Sequence, residues 1–134
     1  MSKFLEFQTN LHSMWALRRA LIDVGFKPEH LLLFDKPEQL RGYHDDLRQE
    51  KAHLHIKKEG IGGSSNDIGF VKNKDGTIDA IISDFDKSAY NQIWLNKVTQ
   101  LHNKHILLNQ CKKNNWKITE KTNSKNEIIL SLEK

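Results

Sequence analysis

The sequence predicts an α+β fold, a two-layer sandwich. An antiparallel sheet of five or six strands carries two helices on one face, in a ferredoxin-like arrangement with an extra strand. Three observations predict it. Residues 53 to 83 read as three short strands in a row, with Leu54 and Ile56 alternating against His53, His55 and Lys57. Two stretches, Met14 to Val24 and Ser88 to Asn114, repeat apolar residues at helical spacing and so present one apolar side each. A turn-linked pair of strands follows the second helix, and an antiparallel sheet is the surface on which two such helices bury their apolar sides.

Lys3 to Gln8 alternates and forms the first strand, with Leu5 and Phe7 expected to face inward. Ser13 is placed to cap the first helix, whose apolar face is Met14, Leu17, Ala20, Leu21 and Val24. Gly25 supplies the left-handed residue that ends it. Trp15 falls beside the stripe and is expected at the core edge. Residues 26 to 52 are interrupted by Pro28 and Pro37 and read as a solvated connector. Leu31-Leu-Leu-Phe34 is its apolar anchor, either a short buried strand or a helical turn.

In the meander, Asp67 to Val71 is the second strand and Thr77 to Ile82 the third, joined by a turn at Lys74-Asp-Gly76. Trp94, Val98, Leu101, His105 and Leu108 form the stripe of the long helix, extended upstream by Ile93 and Tyr90. Trp116 to Glu120 and Glu127 to Leu132 close the chain as a hairpin around Asn123 to Asn126. The whole of 1–134 is expected to be a single domain with one core.

Composition bounds the function. The 37% hydrophobic and 28% charged content is that of a folded globular chain. Its apolar runs all fall well short of a membrane span, and Met1 to Phe7 lacks the apolar core of an export signal. The net charge of +4 is mild, and 17 lysines against 4 arginines leave few residues suited to bidentate phosphate contacts.

The chemical constellations are weak. His53 and His55 share a strand face and His102 and His105 a helix face, but neither pair brings a third ligand, so no metal site is assigned. The pair on the strand is expected to be exposed. Gly60-Ile-Gly-Gly-Ser-Ser65 resembles a phosphate loop, yet a strand follows it where a helix N-terminus is needed, so it reads as a flexible connection. Asp84 and Asp86 are expected to sit at the positive end of the long helix. Cys111 lacks a base at the right spacing. No catalytic residue and no cofactor is therefore expected.

Several pieces together carry a resemblance: Leu21-Ile-Asp-Val-Gly-Phe26, Arg41-Gly-Tyr43, Asp67-Ile-Gly-Phe70 with Lys72-Asn-Lys-Asp-Gly76, and Val98-Thr-Gln100. In their order and spacing they resemble the family of the hypothetical chloroplast reading frame numbered thirty-five, from algal plastids and cyanobacteria. The resemblance implies an oxygenic phototroph and a plastid or cyanobacterial location, and the stromal side of a plastid is the one expected; it implies no activity and no catalytic residues. Two departures stand out. The family commonly has an aromatic residue near His102, and a glycine where Asn114-Asn115 stands.

The function expected is a non-enzymatic module that binds a larger, photosynthesis-related protein complex. Trp15, Arg41, Tyr43, Trp94 and Lys104 are its candidate contact residues. The alternative is a nucleic-acid binder, most naturally of single-stranded RNA, with Phe7 and Phe70 as its stacking platform.

Overall fold

The computed structural model describes residues 3 to 114 in full, together with the backbone of 117–122 and 128–133. The elements run β1 (Phe4–Gln8), α1 (Met14–Asp23), β2 (Leu31–Arg41), β3 (Leu47–Ile56), β4 (Ile68–Lys72), β5 (Ile78–Ser83), α2 (Gln92–Asn114), β6 (Lys117–Thr122) and β7 (Ile128–Glu133). Short 3-10 turns occupy Pro28–His30 and Lys58–Gly60. The main sheet has five antiparallel strands in the order β1-β5-β4-β3-β2, and both helices share one hydrophobic core with it. The α+β class is as the sequence predicts. In detail, the closing pair does not extend the main sheet in a ferredoxin-like way; β6 and β7 make a two-stranded sheet of their own. Trp116 and the turn expected at Asn123 to Asn126 lie outside the described residues.

The core follows the pleat. Leu33, Leu54, Phe70, Ala80 and Phe7 stand opposite one another across the five strands, forming one row on the helix-covered face. Leu17, Ala20 and Leu21 of α1 and Leu95, Val98 and Leu101 of α2 close over that face. A smaller cluster of Phe4, Leu40, Ala52 and Ile81 forms separately, so Phe4, expected to face outward, is buried. There Gly69 lets the hairpin approach, since a Cβ would lie 2.7 Å from the Ala52 Cβ and 2.9 Å from a Leu40 methyl.

α1 starts and stops as expected. The Ser13 hydroxyl accepts from the Ala16 amide at 3.2 Å, and Gly25, at φ +114°, lets the Phe26 amide reach back to the Leu21 carbonyl.

Residues 26 to 52 are the main correction. They hold the long β2–β3 hairpin, not a solvated connector. Pro37 is tolerated because β2 is an edge strand and the register breaks between Leu33 and Glu38. Buried His55 holds that break from beneath, donating its Nε2–H to the carbonyls of Glu38 and Ala52, each at 3.0 Å. The expectation that His55 is exposed is therefore overturned.

The stripe of α2 is also shifted. Its buried residues are Leu95, Val98, Leu101, His102 and Cys111, while Ile93 is 80% exposed and Leu108 lies at the surface. His105 faces α1 and meets Asp23 at 2.6 Å. His102 Nε2 accepts from the Ser13 and His12 amides, at 3.0 and 3.3 Å, and so ties α2 to the start of α1.

Candidate functional site

The Arg41-Gly-Tyr43 and Asp67-Ile-Gly-Phe70 motifs, far apart in sequence, meet where β2 ends and β4 is about to begin. The Arg41 amide donates to Asp67 Oδ2 at 2.8 Å, and the Asp67 amide returns a bond to the Arg41 carbonyl at 3.0 Å. The guanidinium adds Nε to Oδ2 at 3.4 Å and Nη2 to Oδ1 at 3.3 Å, and the Lys58 amide supplies a fourth donor to this carboxylate at 2.9 Å. Asp67 is 1% exposed, so these donors replace the water it loses. Outward, Arg41 reaches Glu59 at 2.6 Å and Asp45 at 3.4 Å. The Arg41 guanidinium holds the Glu59 carboxyl below its ordinary range.

Beside this pair lies a second buried network. Asn66 Oδ1 accepts from the Tyr43 amide at 2.8 Å, and its Nδ2 donates to Ser83 Oγ at 3.1 Å. Asp86 Oδ2 accepts from the Ser83 hydroxyl at 2.8 Å and from the Asn66 amide at 3.2 Å. Asp84 Oδ1 accepts from the Lys3 amide at 3.1 Å. Neither aspartate serves the start of α2, as the sequence suggested. That helix begins at Gln92, and Asn91 is its cap, accepting from the Trp94 amide at 3.2 Å. The segment 58–67 is likewise no flexible connection, because Ser65, Asn66 and Asp67 are all buried.

The second network borders an open groove of about 780 Å³, lined by Tyr43, His44, Asp46, Arg48, Phe85 and Lys87 around Asn66, while the Arg41–Asp67 pair adjoins it in the chain without lining it. Tyr43 is 47% exposed and Phe85 54%. The Tyr43 and His44 rings lie 4.4 Å apart, and the Arg48 guanidinium stands 5.1 Å from the Phe4 ring. Among the described residues every buried side-chain polar atom has a partner. The networks therefore hold the scaffold, and the open chemistry belongs to the rim: two aromatic rings with charges of both signs.

Of the five contact residues expected from sequence, Arg41 and Tyr43 come together here. Trp94 does not; it packs half-buried on the core, with ring centroids 5.0 Å from Tyr90, 6.3 Å from Phe26 and 6.4 Å from Phe70. Trp15 lies on α1, nearly half exposed instead of at the core edge, with Arg19 stacked 4.8 Å from its ring. Lys104 sits on α2. Sequence reasoning missed Phe85, whose only signal was an aromatic residue set between two aspartates in a loop. Phe70 is fully buried and Phe7 packs against the same core, so these two rings form no exposed stacking platform. Among the described residues no three His, Cys, Asp or Glu side chains gather as a metal site, and no helix is long and apolar enough to cross a membrane.

The fold and groove define an α+β protein whose hairpin is pinned by buried charge and whose rim is aromatic. The family model described as "Protein of unknown function (DUF1257)" matches residues 20–129, and the chain belongs to that family. No curated protein and no solved structure matches it.

Proposed function

We propose that this chain is a non-enzymatic interaction module that docks on a larger protein complex through the groove walled by Tyr43 and Phe85. The observation that carries this reading is the exposure of two aromatic rings on a rim whose backbone is anchored: the Tyr43 amide on Asn66, and Asp86, next to Phe85, on Ser83 and Asn66. Exposed aromatics are among the residues that dominate protein interfaces, and an anchored backbone has less freedom to lose on binding. Arg48 and Lys87 beside Asp46 and Asp84 add charges of both signs, which fix orientation more than affinity. The plastid or cyanobacterial setting, on the stromal side, and the photosynthetic nature of the complex rest on the resemblance to the chloroplast reading-frame family.

Affinity purification of the tagged chain from a phototroph tests it. The wild-type chain is expected to recover one reproducible partner complex, and Tyr43→Ser with Phe85→Ser to lose it at an unchanged melting temperature. Recovery of the wild-type chain alone across a range of salt concentrations would refute the proposal.

A further inference from the structure

The outer edge of β2, unpaired among the described residues, is a second feature, separate from the groove. Natural sheets protect long edge strands with charge, proline or bulges. The distal half of β2 has such protection in Lys36, Pro37 and its register break, but its first four residues are Leu31-Leu-Leu-Phe34. The direction of the open backbone groups follows from the ladder. Lys57 donates its amide to the His30 carbonyl at 2.8 Å, so the even residues His30 and Leu32 bond toward β3. The Leu31 carbonyl and both backbone groups of Leu33 therefore point away from the sheet.

Directly above that edge is a cleft of about 480 Å³ lined by Trp15, Arg18, Arg19 and Ile22 of α1 and by Leu33. Leu33 ends the row that runs Phe7, Ala80, Phe70, Leu54 across the sheet, so one more strand would extend this row into the cleft. The lining carries two arginines and no acid. Arg18 has no ion pair among the described residues, and Arg19 is stacked on Trp15.

From this we propose that the β2 edge and the Arg18–Arg19 face of α1 form a binding site for an extended peptide of a partner protein, added as a sixth strand. Its cleft-facing side chains alternate apolar and acidic. Main-chain bonds to Leu31 and Leu33 supply affinity. An apolar side chain between Leu33, Trp15 and Ile22, and a carboxylate two residues further on at the arginines, supply specificity. None of these residues lines the Tyr43 groove, so the site stands or falls independently of the function proposed above.

The test uses purified full-length chain and a synthetic seven-residue peptide. The peptide has valine, glutamate and valine at its second, fourth and sixth positions, with threonine elsewhere. In two-dimensional NMR the peptide is expected to shift the amides of residues 31 to 34 and the Trp15 indole. N-methylation of the alternate peptide amides that face β2 is expected to weaken binding at least roughly tenfold, since it removes main-chain bonds only. Arg18→Glu with Arg19→Glu is expected to weaken it similarly, and to favour a peptide with lysine in place of glutamate. Leu33→Pro, which removes an outward N–H while sparing the ladder to β3, is expected to abolish binding at a nearly unchanged melting temperature. No shift at millimolar peptide would overturn the proposal, as would shifts centred on Tyr43 or equal binding of the N-methylated peptide. A concentration-dependent dimer with the 31 to 34 amides already protected would also overturn it, since a second copy would then be the occupant.

Discussion

At the scale of single residues, the chain places charge inside only where several donors converge. Asp67 accepts from two backbone amides, those of Arg41 and Lys58, and from two nitrogens of the Arg41 guanidinium. Asp67→Ala would leave Arg41 and two buried amides without their acceptor, and is expected to cost ~3–5 kcal/mol in urea unfolding. Arg41→Ala is expected to cost less, because the guanidinium is partly exposed and Asp67 keeps its two amide donors. His102 makes a different prediction. Burial, with His12 and His105 nearby, pushes it below its ordinary 6.5, while its bond to Asn103 opposes the shift. Burial acts on His55 in the same direction. A histidine depressed in the folded state binds fewer protons than in the unfolded chain, so its contribution is complete above pH 6.5 and is lost as pH falls below that value. Denaturation followed from pH 7.5 to 5 is expected to show that loss. It should be shallower in His102→Gln, whose amide oxygen still accepts from Ser13; an identical slope would remove His102 from the account.

At the scale of elements, legibility followed periodicity. The caps of α1 were readable because Ser13 and Gly25 act locally, within a few residues of the bonds they make. The β2–β3 hairpin was not readable. Its alternation is broken by a register shift that is stabilised by His55, a residue 17 positions away from Glu38 in the chain. In α2, a chain of apolar residues at spacings of 3 and 4 fits two adjacent stripes, and only the position of the sheet decides between them. The buried stripe passes through Leu95 and His102, which a reading by apolarity alone cannot choose. Two comparisons check these placements by thermal and urea melting. Leu101→Ala is expected to cost ~2–5 kcal/mol as a core truncation, whereas Ile93→Ser is expected to stay within about 0.5 kcal/mol. Gly69→Ala, which drives a methyl into Ala52 and Leu40, is expected to cost ~1–3 kcal/mol by overpacking.

At the scale of the whole molecule, the five-stranded sheet buries one face under both helices and commits its far end to polar pinning. Ser65, Asn66, Asp67, Ser83 and Asp86 come from two loops and a strand end, and bonds among them anchor the backbone at Tyr43 and on either side of Phe85. Half of this site was legible. Arg41, Tyr43 and Asp67 stood in motifs, but their meeting across 26 positions of chain is a product of strand order. Asn66 and Ser83 gave no sequence signal, because a buried amide and hydroxyl are indistinguishable in sequence from those of an ordinary turn. The central claim is that this rim is where a partner protein sits. Site-specific photo-crosslinking in a phototroph tests it most directly, with the reactive group placed in turn at position 85 and at position 93, which is more exposed and does not line the groove. The account predicts a discrete adduct with one partner from position 85 and none from position 93. Adducts of equal yield from both positions, or none from either, would contradict it.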